Sequence, residues 1–442
     1  MVDYTDSSQL NLWLFQSTLE LRECRIRANQ KARQYLISLE NTQDDTEDTE
    51  ETPAEDGDNA KASSKDKSPP PVECFACGYS KRKRDGQAED PIKDVPETNG
   101  NGHPFLTDEE EATLVSFYVS RLPALIGPEA RVGRLRRESK VTATAAMLVR
   151  RFFCSNSVML TDPKIIMTAA AFLGLKVEDA HSDVRYLEQG TALMNAPVKT
   201  AEIIPAEIAL LAGTHFDLLC FHPYKAVLAL TEDMRTYLKS EKGKVLVQNT
   251  QSDRPLSGQD LKPIYDTARD LLDDAVVSDI PLLYNPGQVG LAALMVAQER
   301  VLQTRLEQQD KDAMETDDAN QTPSIPRIDL LGYARQRFEG QAAADGAHFD
   351  AEELEQNLSK LCDMLRSLKD GEHGCGNYTA SNPEKMAVLK QIHKKLKKVR
   401  CWGKEESSKK KKGSKLKKKK KRDREEAEED ADPEPPSKKQ AT

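Results

Sequence analysis

The chain has 442 residues, of which 38% are hydrophobic and 31% charged, and its formal net charge is −9. That length suits two or three domains, and the polarity excludes a single continuous globule, so part of the chain is predicted to be disordered. There is no run of 18 apolar residues and no basic-then-apolar N-terminus, so we expect neither a transmembrane helix nor a signal peptide. The eight cysteines are scattered, which is typical of reduced thiols in the cytosol or nucleus.

The first predicted element is an N-terminal helical segment, residues 1–39, with a helix that ends near Leu39. Ser17 and Glu20 form a capping box at the start of that helix. Residues 40–104 are rich in Asp, Glu, Thr, Ser, Pro and Gly, and 41–60 contain no basic residue. Such a composition cannot bury enough apolar surface to offset chain entropy, so 40–104 is predicted to be a disordered acidic insertion.

The first predicted domain covers residues 105–220 and is helical. Thr107 and Glu110 form another capping box, and Asp162 can cap a helix that has Pro163 at its first position. That helix contains "IIMTAAAFLGLKVED", in which eleven uncharged residues precede Lys176. A helix so apolar on all sides belongs in a core. Three apolar side chains of this helix, Ile166, Phe172 and Leu173, are predicted to be core residues, as is Phe152 of the preceding helical pattern.

A second helical domain is predicted over residues 221–345, with a disordered loop near 307–326. Its segment "LYNPGQVGLAALMVAQ" aligns with "LTDPKIIMTAAAFLGL", so that Asn285 and Pro286 fall on Asp162 and Pro163. The alignment favours a duplicated domain, although two core helices can also match by chance. A C-terminal helical segment (346–403) and a disordered charged tail (404–442) complete an all-α prediction, because alternating β-branched strand patterns are scarce.

The ordered segments resemble a known family. "TAAMLVRRFFCSNSVMLTDPKIIMTAAAFLGLKVED" (144–179) resembles the first cyclin box, and within the cyclins it is most similar to the cyclin H subfamily. "FLTDEEEATLVSFYVSRL" (105–122) and "HFDLLCFHPY" (215–224) are similar to the same subfamily. "LLYNPGQVGLAAL" (282–294) matches the start of a second box, while "RANQKAR" (27–33) and "MAVLKQ" (386–391) resemble the terminal helices.

The resemblance implies two tandem five-helix cyclin folds with flanking helices. It also implies a regulatory subunit that binds and activates a cyclin-dependent kinase by docking against the kinase's mobile αC helix. Kinases with such a subunit phosphorylate other cyclin-dependent kinases and, within TFIIH, the RNA polymerase II tail. The implied partners are the kinase, an assembly factor and TFIIH, without a cofactor, small-molecule substrate, specific nucleic acid or membrane. The implied location is the nucleus.

The resemblance assigns a kinase interface to Lys176 and to Glu207, which lies on the fifth helix of the first box. Without the resemblance, Lys176 would be read as a lysine that complements a helix C-terminus. Pro205 stands where the family continues its helix, so it threatens to displace Glu207. Three further residues are predicted to be partly exposed at the interface: Leu148, Arg151 and Phe153.

Two other motifs could form sites, a cysteine pair and clusters of basic residues. "CFAC" (74–77) is a lone CxxC without a second ligand pair, so no metal site is predicted. "KRKR" (81–84) and a basic run near the C-terminus suit nuclear import, and no aromatic residues interleave with the run for base stacking. The run's cationic residues are Lys409, Lys410, Lys411, Lys412, Lys417, Lys418, Lys419, Lys420, Lys421 and Arg422, besides Lys415.

The sequence lacks the catalytic motifs G-x-x-x-x-G-K, H-R-D, D-F-G, H-E-x-x-H and G-x-S-x-G, so no motif argues for an enzyme, and the resemblance implies a regulatory subunit without catalysis of its own. Two alternatives stay open. One is a general transcription factor similar to TFIIB, which would need two N-terminal cysteine pairs and a basic second repeat. The other is the cyclin of a different transcriptional kinase, similar to cyclin C, which the terminal-helix matches disfavour.

Overall fold

The computed structural model describes residues 3–44, 72–74, 95–248, 257–315, 327–345, 350–368 and 382–403. Apart from one isolated bridge, the strands within these ranges are the two-residue β1 (Val247–Gln248) and β2 (Arg327–Ile328), which pair antiparallel. All other regular structure there is helical. The predicted all-α class is therefore confirmed.

The N-terminal segment holds a short helix α1 (Ser8–Asn11) and a long helix α2 (Thr18–Asp44). The backbone N–H of Glu20 donates to Ser17 Oγ at 3.2 Å, so the predicted cap fixes where α2 begins. Before α2, Trp13 is 1% exposed and lies in a core cluster with Leu282 of the second domain. The N-terminal segment therefore contributes to the packing between the domains.

The predicted limits of the acidic insertion differ from the structure. Helix α2 continues past Leu39 because the Glu40 carboxylate accepts hydrogen bonds from the Asn99 side chain at 3.0 Å and from Gly100 N–H at 2.9 Å. Residues 95–104 are thus ordered against α2, and Glu73 N–H donates to Asn156 Oδ1 at 3.0 Å. Residues 45–71 and 75–94 lie outside the described part of the chain.

The first repeat has five helical positions, of which the first is split by a turn. Its helices are α3 (Asp108–Val119) with α4 (Leu122–Ile126), α5 (Ser139–Ser155), α6 (Pro163–Val177), α7 (Val184–Leu193) and α8 (Thr200–Gly213). Helix α6 is central and packs against α5 and α8. A Cβ added at Gly174 would lie 3.2 Å from the Ala145 Cβ, so the absent side chain allows α5 and α6 to approach closely.

The second repeat also has five long helices, with two short helices between them. Its helices are α9 (Pro223–Tyr237), the short α10 (Glu241–Lys244), α11 (Gly258–Ala275), the short α12 (Ile280–Leu283), α13 (Pro286–Glu315), α14 (Leu330–Asp345) and α15 (Ala351–Ser367). Helix α13 is central and packs against α9, α11 and α15, as α6 packs in the first repeat against its neighbours. The two central helices are therefore equivalent.

The aligned cap residues of the two central helices play the same part. Asp162 Oδ1 accepts a hydrogen bond from Lys164 N–H at 2.8 Å, and Asn285 Oδ1 accepts one from Gln288 N–H at 2.9 Å. Each cap precedes a proline at the first helical position, where no N–H is needed. The predicted duplication is confirmed by this correspondence.

Two predicted limits in the C-terminal half are corrected. Helix α13 runs through the first part of the predicted loop 307–326, where the sequence is charged but consists mainly of good helix formers. Helix α15 belongs to the second repeat, because its Leu361 and Leu365 are fully buried in that core. Residues 346–403 therefore do not form one segment.

The last helix, α16 (Pro383–Val399), packs against α3 of the first repeat. Lys395 Nζ donates to Glu110 Oε2 at 2.6 Å, and the His393 ring lies 6.0 Å from the Phe117 ring, edge to face. Residues 400–403 follow α16, and there the Arg400 guanidinium carbon lies 4.2 Å from the Trp402 ring centroid. The predicted tail, 404–442, lies outside the described residues.

A buried ionic network joins the N-terminal helix to both repeats. Asp279, which precedes α12, accepts hydrogen bonds from Arg25 of α2 at 2.7 and 2.9 Å and from Arg150 of α5. Arg150 also donates to the Val277 carbonyl. Burial alone would raise the pKa of the Asp279 carboxyl, but the charges of Arg25 and Arg150 outweigh burial and hold that pKa well below its usual range. Asp279 is therefore ionised and neutralises two buried cations.

Glu111 of α3 is a buried carboxyl without an arginine in direct contact among the hydrogen bonds and ion pairs of the described residues. It accepts a hydrogen bond from Ser157 Oγ, and it is 8% exposed. Burial raises the pKa of Glu111 to about 7, although hydrogen bonds from Ser157 and Asn29 act against the rise. The carboxyl thus takes up a proton near neutral pH.

The raised pKa predicts a pH-dependent effect of the substitution Glu111→Gln. Because the folded pKa lies above the unfolded value of 4.5, the contribution of Glu111 to stability is complete below 4.5 and is lost as pH rises through 7. Relative to the parent, Glu111→Gln should gain about 2 kcal/mol in unfolding free energy between about pH 5.5 and pH 8. Urea unfolding of both proteins at the two pH values measures this gain. An equal difference at both values would contradict the buried, neutral Glu111.

Candidate functional site

Lys176 and Glu207 form an ion pair at the end of the central helix of the first repeat. Lys176 Nζ donates to Glu207 Oε1 at 2.7 Å and to Oε2 at 2.9 Å. The lysine side chain is 41% exposed, whereas the glutamate side chain is 11% exposed. The two predicted site residues are thus brought together, with the carboxylate behind and the ammonium facing solvent.

The position of Lys176 follows from the burial of α6. The helix is enclosed from Ile166 to Leu175 apart from Phe172, which is half-buried, and Lys176 is the first exposed residue after that run. Lys176 Nζ lies 4.0 Å from the Phe172 ring centroid, a cation–π contact. The prediction that Phe172 is a core residue is therefore wrong in part, because its ring supports the ammonium at the surface.

Pro205 does not displace Glu207. Helix α8 is continuous from Thr200 to Gly213 with the proline inside it. The helix begins where Lys199 N–H donates to the Glu202 carboxylate at 2.8 Å. A proline in the second turn removes one backbone hydrogen bond, but the helix continues and carries Glu207 onto the face that meets α6.

Four exposed apolar side chains lie near Glu207 in the sequence, two of them on α8. Ile204 and Ile208, one turn apart on α8, are 49% and 66% exposed, and Phe216 and Leu219 after the helix are 69% and 47% exposed. We call these four residues the apolar rim. Large exposed apolar side chains of this kind can take part in binding another protein. The i, i+4 spacing of the two isoleucines is the sequence signal that could have identified the rim.

The backbone that carries Phe216 adopts a conformation that side chains rarely take. His215 and Phe216 have φ values of 56° and 59°, both in the left-handed region. Such a conformation costs about 1–3 kcal/mol per residue and persists where the surrounding structure holds it. Here Phe216 N–H donates to the Leu211 carbonyl at 2.9 Å, which closes α8 and leaves the phenyl ring in solvent.

The predicted partial exposure of Leu148, Arg151 and Phe153 is wrong. Leu148 and Arg151 are 0% exposed and Phe153 is 6% exposed. Arg151 donates to the Asp217 carbonyl at 2.9 Å, and its guanidinium carbon lies 5.2 Å from the Trp13 ring centroid. The N-terminal segment therefore covers α5, and the three side chains stabilise the repeat instead of facing a partner.

The CxxC motif is described only in part. Cys74 Sγ lies 3.3 Å from His215 Nδ1, and Cys77 lies outside the described residues. Among the residues with described positions, no group of three or more His, Cys, Asp or Glu side chains is arranged to hold a metal ion. Both predicted import signals, 81–84 and 409–422, also lie outside the described ranges.

None of the helices in the described ranges combines the length and apolar content that crossing a bilayer requires. The candidate site consists of the Lys176–Glu207 ion pair and the apolar rim, in a chain of two tandem five-helix repeats that are each built around a central small-residue-rich helix.

Residues 222–370 match the family model of the cyclin C-terminal domain. The chain is 32% identical over 202 residues to "Cyclin CCL1" of Saccharomyces cerevisiae, covering 46% of this chain and 45% of the relative. It is 27% identical over 192 residues to "Cyclin-H1-1" of Arabidopsis thaliana, covering 43% of this chain and 50% of the relative. The chain thus spans about half the length of the curated relatives that it matches.

A solved structure shows the same fold. A chain in the structure of the CAK complex from Chaetomium thermophilum bound to ATP-gamma-S superposes with a TM-score of 0.53 and 20% sequence identity. The match covers 90% of this chain and 88% of that chain. The matched family domain coincides with α9–α15, the second repeat, which confirms that α15 belongs there. Residues 222–370 therefore match the cyclin C-terminal domain, and the chain is similar to cyclins over about half of its length.

Proposed function

We propose that this chain is the regulatory cyclin of a transcriptional cyclin-dependent kinase, of the kind found in the CDK-activating kinase and TFIIH. The observation that carries the proposal is the Lys176–Glu207 pair, whose ammonium faces solvent, together with the exposed side chains of the apolar rim. In this function the chain is not itself a catalyst. It binds a kinase subunit and holds that subunit in its active arrangement.

The pair suits a docked backbone segment. After donating to both oxygens of Glu207, the Lys176 ammonium keeps one N–H for a carbonyl of the partner. The Glu207 oxygens keep lone pairs that can accept from partner N–H groups. Because the pair is formed before docking, little side-chain order is lost on binding, and the apolar rim supplies the desolvated contact area.

The effect on the kinase follows from where this surface would hold it. A protein kinase transfers phosphate when the glutamate of its αC helix pairs with the lysine of strand β3. A rigid surface that binds the αC region only in that position shifts the kinase population toward the active state. The role of this chain is thus to bias a two-state element and not to touch the nucleotide.

The names of similar proteins support the class of partner. Similar chains include one in a CAK complex of Chaetomium thermophilum and an "RNA polymerase II holoenzyme cyclin-like subunit" of Aspergillus clavatus. We accordingly propose that this chain binds a kinase that phosphorylates other cyclin-dependent kinases and the polymerase II tail. An assembly factor and the remainder of TFIIH are the further partners proposed with it.

The direct experiment is reconstitution with a candidate kinase subunit. The full chain is mixed with that subunit, and phosphate transfer is measured on a polymerase-tail peptide and on an inactive cyclin-dependent kinase. We expect transfer to require both proteins. A kinase subunit that is equally active without this chain, or that does not co-purify with it, would contradict the proposal.

We also propose that the protein works in the nucleus and that the basic run 409–422 directs it there. The run concentrates lysine at the end of the sequence, as import receptors require. Deletion of 409–422 in a fluorescent fusion should raise the cytoplasmic signal at least severalfold. A fusion in which Lys81–Arg84 are also replaced tests whether "KRKR" substitutes for the run. An unchanged distribution in both fusions would exclude import by these signals.

A further inference from the structure

Helix α16 carries a basic face that the proposed kinase docking does not use. Its buried side is formed by Leu389, Ile392, Leu396 and Val399. The opposite side is exposed and carries Lys390, Lys394, Lys397 and Lys398. At 100° per residue, these four lysines fall within an arc of about 100° on the helix surface. We call this set the lysine face.

The lysine face is not neutralised within the described chain. None of its four ammonium groups forms an ion pair with a residue whose position the structure describes, whereas the neighbouring Lys395, on the flank of the helix, is paired with Glu110 at 2.6 Å. The nearest carboxylate on the helix itself is Glu384, in the first turn. Four like charges spaced one turn apart repel one another, so they favour a polyanion as partner.

The composition of the face selects among polyanions. Acidic peptides bind through charge together with buried apolar anchors, and between Lys390 and Lys398 the arc holds no apolar side chain. Single-stranded nucleic acid requires aromatic residues on which bases stack, and the arc contains none. The face is a row of point charges on a helix, and such charges can neutralise the phosphates of a nucleic-acid duplex.

We infer that the lysine face of α16 binds the phosphate backbone of a nucleic-acid duplex without reading its sequence. Each ammonium would displace counterions from one phosphate, so binding would weaken steeply as salt rises. Because α16 packs on α3 of the first repeat, such binding would hold the folded core of the cyclin next to the duplex. This inference does not depend on the identity of the kinase.

The test uses the full chain and a labelled, mixed-sequence DNA duplex about two helical turns long. Fluorescence anisotropy gives the binding constant between about 50 and 200 mM salt. The fourfold variant K390Q/K394Q/K397Q/K398Q should reduce the magnitude of the slope of log K against log salt by about 3 to 4, because about 0.9 is lost per phosphate contact. Thermal melting by circular dichroism establishes that the variant is folded.

A matched control removes the same charge elsewhere. K239Q/K242Q/K244Q/K262Q replaces four exposed lysines of the second repeat. This control should keep the parent slope. If both variants lose the same amount of slope, the change reflects net charge and not the lysine face. If the slope of the α16 variant equals that of the parent, other basic segments carry all of the binding. Either result overturns the inference.

Two further ligands distinguish DNA, RNA and acidic protein as the partner of the lysine face. The same titration is made with an RNA duplex and with polyglutamate. A loss of binding to either duplex in the α16 variant supports phosphate recognition and identifies which nucleic acid supplies it. A variant that loses polyglutamate binding but keeps the parent's binding to both duplexes would show an acidic-protein surface, which also overturns the inference.

Discussion

The substitution Lys176→Glu is expected to weaken binding to the kinase subunit by about 30-fold or more while leaving the cyclin folded. Removing one partner of a buried charged contact costs about 2–5 kcal/mol, mostly in the dissociation rate, and each 1.4 kcal/mol is about tenfold in affinity. The head group is 41% exposed in the free chain, so the replaced carboxylate can turn into solvent. The measurement is a binding titration with the kinase subunit.

The structure offers a sharper control than the single variant. In Lys176→Glu the new carboxylate faces Glu207, which is 11% exposed, so some loss of stability comes from like-charge repulsion. The double variant Lys176→Glu/Glu207→Lys restores an ion pair but exchanges donors for acceptors. It should melt like the parent and still bind weakly. A double variant that binds with the parent's affinity would show that the kinase does not read the orientation of the pair.

A second control distinguishes an effect of the Lys176 surface from an effect of the total charge of the chain. Lys262→Glu reverses an exposed charge on α11 of the second repeat, far from the site in the sequence. It should retain the parent's affinity. If Lys176→Glu melts and binds as the parent does, Lys176 is only a lysine at a helix end. If Lys176→Glu does not fold, the lysine belongs to the packed core and the proposed surface is wrong.

The substitution Asp279→Ala is expected to destabilise the protein by about 3–5 kcal/mol, which is the cost of leaving buried charges uncompensated. Asp279 neutralises Arg25 of α2 and Arg150 of α5, and Arg150 is 2% exposed. Because the network joins the N-terminal helix to both repeats, the loss should also expose α2 to protease. Denaturant unfolding of the free chain measures the change in free energy.

The matched control for this prediction is Asp270→Ala, which removes an exposed carboxylate from α11. Its effect should stay within about 0.5 kcal/mol. The double variant Arg25→Ala/Asp279→Ala should be less destabilised than the sum of the single variants, since one buried cation is removed together with its partner. Strict additivity, or an Asp279→Ala protein as stable as the Asp270→Ala control, would contradict the network.

Part of the candidate site could be predicted from the sequence and part could not. Lys176 stands out because it ends a run of uncharged residues, and a charge at that point must reach the surface. Leu148, Arg151 and Phe153 could not be assigned in this way. Their exposure depends on whether a distant segment covers α5, and Trp13 and its neighbours do cover it.

The sequence alone determined the helical class and the caps at Asp162 and Asn285, because caps and apolar periodicity are short-range properties of a helix, and it favoured the duplication without excluding a chance match. Only the tertiary structure decided that Glu207 meets Lys176, which lies 31 residues away across a helix that contains Pro205. It also decided where α2 ends, since Glu40 is held by Asn99 and Gly100 of a segment whose composition suggested disorder. Long-range pairs of this kind depend on how whole helices pack, and no local propensity encodes them.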